Sequence, residues 1–229
     1  MRIIDVLFSQ GFGTRRECAG LIAQGHVGVD GLTLVDPATE VQPTGLHFEV
    51  QGVRWPYWPR ALILLHKPSG YECSRQPKHH PSVLNLLPPP LRRRGVQPIG
   101  RLDEDTTGLL LLTDSGSLIH RLTSPKHHVA KVYEVVTKHP LDEAQLQRLR
   151  EGVVLDDDPA PVRAAAVERA GACALTLTLT EGRYHQVKRM LAAVGNRVEA
   201  LHRSRFGAWS LAADLAPGQW RWLDAPAGC

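Results

Sequence analysis

Residues 109–112 are four consecutive leucines, framed by Gly108 and Gly116 and preceded by three adjacent acids, Asp103, Glu104 and Asp105. A short apolar run bounded by glycines reads as a buried strand. Pro98 and Gly100 break regular structure just before the acids, so the acids sit in a loop that feeds that strand. An acidic loop leading into a buried strand is a natural place for a carboxylate at a cleft.

Further strand signals recur around this one. Residues 61–66 are apolar and end at Pro68 and Gly70, residues 131–137 are rich in Val and Tyr, and residues 174–180 alternate with period two. Helices are expected at 115–122, 141–151 and 185–194, the last stopped by Gly195-Asn196. Strands interspersed with helices, without clean βαβ repeats, predict an α+β fold on a mixed, mostly antiparallel sheet flanked by helices.

Residues 1–50 read as a small unit of their own. Ile3, Ile4, Val6 and Leu7 have helical spacing, and Thr14-Arg15-Arg16-Glu17 fits a capping box opening a second helix that Gly25 stops. Val27 and Val29, Asp30-Gly31, then Leu32 and Leu34 spell a hairpin. Residues 51–59 are expected to be a linker, since Pro56 and Pro59 argue against regular pairing. Residues 60–229 then form the larger domain.

No apolar stretch is long enough for a membrane span, and the N-terminus lacks the build of a signal peptide. Cys18, Cys73, Cys173 and Cys229 form no Cys-x-x-Cys pair, which suits a reducing cytoplasm better than a zinc site or a disulfide framework. The net charge of +4 is unevenly placed. Residues 1–50 hold three Lys/Arg against six Asp/Glu, whereas residues 51–149 hold 14 against eight, including Arg92-Arg93-Arg94. A basic middle region suits a polyanionic partner such as RNA, or simply a solvated loop.

The acidic loop admits several chemistries on its own. Asp103, Asp105, Thr107, Gly108 and Asp114 occupy EF-hand-like positions, but the closing residue is not Glu and Pro98 forbids an entering helix. A glycosidase would need two carboxylates on opposite sides of a bond, and an i, i+2 pair does not supply that by itself. Tyr133 on a strand is most simply core. Residues 181–190 turn from strand to helix and concentrate Arg183, His185, Gln186 and Lys188 where helix N–H donors also point, an arrangement suited to a phosphate or carboxylate. The pairs His79-His80 and His127-His128 lack a completing ligand set, so no metal site is expected.

These segments, in this order, resemble the RsuA, RluB, RluE and RluF group of bacterial ribosomal RNA pseudouridine synthases. The likeness is carried by residues 100–113, Lys67-Pro68-x-Gly70, Lys131-x-Tyr133 and residues 181–190, and residues 1–50 look like the S4 RNA-binding domain common in that group. The resemblance implies an enzyme that isomerises uridine to pseudouridine, with Asp103 as catalytic aspartate, Tyr133 stacked on the target base and Lys188 paired with Asp103. Arg101 matches the arginine that holds the base out of the helix, and Arg15 and Arg16 remain for an RNA grip in an otherwise acidic S4-like unit. Residues 123–128 and 184–203 look like the members that act on small-subunit 16S rRNA at a uridine-516-type site, with the 23S rRNA enzymes as the nearer alternative. A non-catalytic ribosome-assembly protein would explain the basic middle but not the acid cluster. No cofactor is implied, because the reaction neither oxidises nor adds anything. The expected partner is 16S rRNA or a small-subunit assembly intermediate, and the expected form is a cytoplasmic monomer.

Overall fold

The computed structural model of the protein describes residues 1–156 and 158–224, so Cys229 lies outside the described residues. The chain divides into two compact units. One comprises Met1–Ala61 with Leu87–Gln97; the other comprises Leu62–Leu86 and the chain from Pro98 onward. Residues 87–97, assigned by sequence to the larger domain, thus group with the first unit. Among the described residues, no helix is long and apolar enough to cross a membrane.

The first unit has two helices, α1 (Ile3–Ser9) and α2 (Arg15–Ala23). Its four strands are β1 (Val27–Val29), β2 (Leu32–Leu34), β3 (His47–Val50) and β4 (Val53–Pro56), in the antiparallel order β2-β1-β3-β4. The expected capping box opens α2: Glu17 N donates to Thr14 Oγ1 at 3.2 Å, and Thr14 N donates to the Glu17 carboxylate at 2.6 Å. Asp30 and Gly31 both take positive φ (49° and 79°), as the tight turn between β1 and β2 requires. Ile3, Val6, Leu7, Ile22, Val27 and Phe48 form the core.

The linker expected at 51–59 is a correction. Residues 53–56 are a strand, with Trp55 opposite Phe48 and Pro56 opposite His47. Pro56 is tolerated because β4 is the edge strand and Pro56 its last residue, where a missing N–H breaks no inner ladder. Trp55 packs on the core, its ring edge-on to Phe12 at 5.3 Å. A short helix, α3 (Pro89–Arg93), follows in this unit. The next residue, Arg94, donates to the Gln10 side chain and to the Trp58 carbonyl at 2.8 Å, so one arginine of the basic run ties the chain together.

In the second unit a seven-strand path runs β11-β12-β8-β13-β7-β5-β15. Its members are β5 (Leu62–Lys67), β7 (Thr107–Thr113), β8 (Lys131–Thr137), β11 (Ala166–Gly171), β12 (Ala174–Leu179), β13 (Val198–Phe206) and β15 (Trp220–Trp222). Shorter strands are β6 (Gln97–Pro98), the hairpin β9 (Val153–Leu155) with β10 (Asp158–Val162), and β14 (Trp209–Ser210), which pairs with β13. The helices are α4 (Gly116–Thr123), α5 (Glu143–Glu151) and α6 (Gln186–Ala193). Along this path only β13–β7 is parallel. Leu109 through Leu112 are fully buried at the centre, as their sequence requires. Gly108 makes the parallel step possible. It pairs with Arg203, its φ is +109°, and a Cβ there would lie 2.3 Å from the Arg203 carbonyl oxygen.

Candidate active site

The acidic loop is held from below by Lys67, the last residue of β5. Its side chain is fully buried, and Nζ donates to three carbonyls: Pro68 at 3.0 Å, Glu104 at 2.9 Å and Thr106 at 2.8 Å. Burial depresses its pKa, while the nearby Cys73 and the acids of the loop act against that shift. With its backbone tied down, the loop directs Asp103 and Asp105 toward a cleft of about 750 Å³. That volume lies in the range of small-ligand sites.

The opposite wall is the start of α6. His185 adopts left-handed backbone (φ 48°, ψ 33°) and its ring stacks on Tyr184 at 3.8 Å. Non-glycine residues in that conformation are strained, and such strain clusters at functional sites. Gln186 is buried, accepts from Arg183 N at 2.8 Å and donates to Glu181 at 2.9 Å. Its amide therefore fixes the turn. The Arg183 side chain lies 3.5 Å from Glu181.

The two walls meet at the carboxylates. Asp103 Oδ1 is 3.2 Å from His185 Nε2, and Oδ2 is 3.3 Å from Lys188 Nζ. Lys188 also donates to both oxygens of Asp105, at 2.7 and 2.8 Å. Burial works to raise the Asp105 pKa, but the hydrogen bond and charge of Lys188 outweigh it and hold the carboxyl below its ordinary range. Burial likewise works against the Lys188 ammonium, yet Asp105 and Asp103 push its pKa above the ordinary value. Lys188 is thus shared between two acids. Its tighter partner is Asp105 rather than Asp103, the partner that the family resemblance implies.

Tyr133 comes from β8, whose alternation buries residues 131, 133, 135 and 137. It faces the same cleft as Arg101, Asp103 and residues 181–188. Seven of the residues expected at the site therefore line one cavity: Arg101, Asp103, Tyr133, Arg183, His185, Gln186 and Lys188. Arg15 and Arg16 lie in the other unit. Arg15 pairs with Asp5 and lies over the Phe8 ring at 4.7 Å, and Arg16 is exposed. Sequence reasoning assigned no site role to Tyr184, two-thirds exposed beside His185, or to the buried Arg203. Period-two counting along residues 198–206 does not flag Arg203, because a register shift between Arg203 and Arg205 breaks the alternation.

Another rim of the cleft is formed by residues 72–80. Glu72 accepts from the backbone N–H groups of Lys78, His79 and His80 at 2.8–3.0 Å, which lowers its pKa from 4.5 to about 2. A carboxyl whose folded pKa is depressed contributes its stabilisation above 4.5 and loses it as pH falls through about 2. Amide exchange at Lys78, His79 and His80, corrected for intrinsic rates, is therefore expected to accelerate as pH falls from 4.5 toward 2. Glu72→Gln should accelerate it already at pH 7. Unchanged protection in both cases would remove Glu72 as the anchor of this rim.

A family model described as RNA pseudouridylate synthase matches residues 61–193, and one described as S4 domain matches residues 1–45. Ribosomal small subunit pseudouridine synthase A of Escherichia coli (strain K12) is 40% identical over 220 residues, covering 95% of this chain and 94% of its own length. The uncharacterized RNA pseudouridine synthase YtzG of Bacillus subtilis (strain 168) is 38% identical over 226 residues, covering 97% and 95%. A solved structure described as a crystal structure of pseudouridylate synthase matches with a TM-score of 0.69 at 33% identity, covering 98% of this chain and 96% of that one. Fold, cleft and relatives together define an enzyme that acts on RNA. The chain belongs to the RNA pseudouridylate synthase family and carries an S4 domain at its amino-terminal end.

Proposed function

We propose that this enzyme converts a uridine of small-subunit 16S rRNA, of the uridine-516 type, into pseudouridine, with Asp103 as the residue that opens the glycosidic bond. The observation that carries the reading is Asp103 held between His185 and Lys188 in the cleft lined by Tyr133. His185 and Lys188 each hold one oxygen of the Asp103 carboxylate and so fix its orientation in the cleft. An ionised carboxylate is what either route needs, attack on C1′ or removal of the C2′ proton. The base must leave its stack first, and in this reading Arg101, which lines the cleft, holds it out. The relatives named as small-subunit enzymes, 40% identical across nearly the whole chain, support the choice of 16S rRNA. Arg15 and Arg16 then serve as a local RNA contact in the S4 domain.

Mapping pseudouridines in 16S and 23S rRNA from a deletion strain tests the assignment. Loss of one 16S site is expected; loss of a 23S site alone would overturn the substrate. Tyr133 offers a flat face to the uracil and a phenol near it. Tyr133→Phe keeps the face and is expected to slow single-turnover conversion by about tenfold or less, whereas Tyr133→Ala also loses stacking, about 1–3 kcal/mol. Equal defects in the two variants would refute a stacking role.

A further inference from the structure

The floor of the cleft holds two buried cations, Lys131 and Arg203, that form no ion pair with a carboxylate among the described residues. Lys131 and Tyr133 are two residues apart on β8 and so point to one face. Across the sheet, Arg203 pairs with Tyr133 and Phe206 with Lys131. Directly paired residues share a face, and all four line the cleft. Arg203 is 1% exposed and Lys131 9%. Arg203 Nε donates to the Leu109 carbonyl at 2.9 Å, while its Nη2 is buried with no hydrogen-bond partner among the described residues. Lys131 Nζ donates to the Val129 carbonyl at 2.9 Å. Both charges rest against the Phe206 ring, the ammonium at 5.3 Å and the guanidinium carbon at 5.1 Å. Burial, then the charge of Arg203, depresses the Lys131 pKa; Glu181 opposes this shift, but its carboxylate is engaged by Gln186 and Arg183.

Burying like charges side by side without a counterion is unfavourable, and folding alone gives no reason to place them under a reaction cleft. The reaction does give one. The C1′–N1 bond breaks with both electrons leaving on N1, so uracil detaches as an anion with charge spread over O2 and O4. In one route a carboxylate oxygen of Asp103 bonds to C1′ and leaves again with its electron pair when C5 attacks. In the other, C2′ gives its proton to that carboxylate, a C1′–C2′ double bond forms, and C2′ takes the proton back as C5 adds to C1′. C5 then bonds to C1′, the C5 proton leaves and N1 takes one up, so the product is an isomer. We propose that Lys131 and Arg203 form a cationic floor that stabilises the detached uracil anion while it turns. Fixed charges in a water-poor cleft act strongly on charge that develops during reaction, even from beneath the surface. This inference rests on the reading of Asp103 as the residue that opens the bond.

The test compares single-turnover consumption of uridine and of 5-fluorouridine at the target position of an rRNA fragment that the wild-type enzyme modifies. Fluorine at C5 stabilises the uracil anion and so lessens the need for the floor. Lys131→Met is expected to slow uridine consumption by about 10²-fold with RNA affinity unchanged, and to slow 5-fluorouridine consumption far less. Arg203→Lys, which keeps the charge, should be milder than Arg203→Gln on uridine. Equal slowing on both nucleosides, or no slowing in Lys131→Met, would overturn the proposal. If Arg203→Gln lowers the melting temperature sharply, Lys131→Met decides alone. A failure of the underlying reading shows separately, as an Asp103→Asn variant that remains active.

Discussion

Asp103→Asn is expected to abolish pseudouridine formation, lowering the single-turnover rate by about 10⁴-fold or more, while leaving fold and RNA binding intact. Asparagine keeps the size and the two polar ends of aspartate, so polar contacts with His185 and Lys188 can be largely replaced. What disappears is the negative charge, without which the side chain neither attacks C1′ nor takes the C2′ proton. Lys188 does not become an orphaned cation, because Asp105 already holds it through both oxygens. Asp103 is also partly solvent-exposed, so its ion pairs add little to stability. RNA affinity should stay equal or rise slightly, since one negative charge is removed from a surface that receives a polyanion. Tritium release from 5-tritiated uridine measures the chemistry and filter binding measures the affinity. Release at the wild-type rate would sink the assignment of Asp103, whatever the binding result.

Asp105 calls for the complementary comparison. It competes with Asp103 for one ammonium, and its pair is the shorter. The sequence places both acids in one loop but does not say which of them a lysine 83 residues away will reach. That choice is made by the Lys67 clamp on the loop backbone, a contact across 37 residues, together with the local turn that Gln186 fixes.

Legibility elsewhere follows the same physics. The period-two pattern of Ala174–Leu179 suffices to read β12, because its buried face is wholly Leu. The run of leucines suffices for β7. Strand β13 lies at the centre of the sheet yet escapes such reading, since one of its inward positions is Arg203 and polar residues fill most of its middle. Strand β4 escapes because proline statistics do not distinguish an edge from an interior strand. Residues 87–97 separate from their sequence neighbours because Arg94 contacts Gln10 and Trp58, pairings at sequence distances that no local pattern encodes. In each case the sequence shows local rules, and the misses lie where tertiary contacts override them.

Gly108→Ala is the substitution with the largest expected effect on stability. The position joins the acidic loop to β7 and pairs in parallel with Arg203 on β13. Two penalties coincide there. At φ +109° an L side chain is strained, and the added Cβ would meet backbone, 2.3 Å from the Arg203 oxygen and 2.7 Å from its nitrogen. Backbone cannot rotate aside as a flexible side chain would, so the two strands must separate at the one parallel junction of the path. The loss should be roughly 3–5 kcal/mol, in the range of severe single substitutions, read as a lowered denaturation midpoint with unchanged slope. Activity should fall beyond the unfolded fraction, because Asp103 stands five residues upstream and Arg203 is the residue displaced. Gly116→Ala supplies the control. That glycine opens α4, has no positive φ, and a Cβ there meets nothing within 4 Å; alanine should be neutral or slightly stabilising. If the two variants proved equally stable, the close approach of β7 to β13 would not be what fixes the acidic loop.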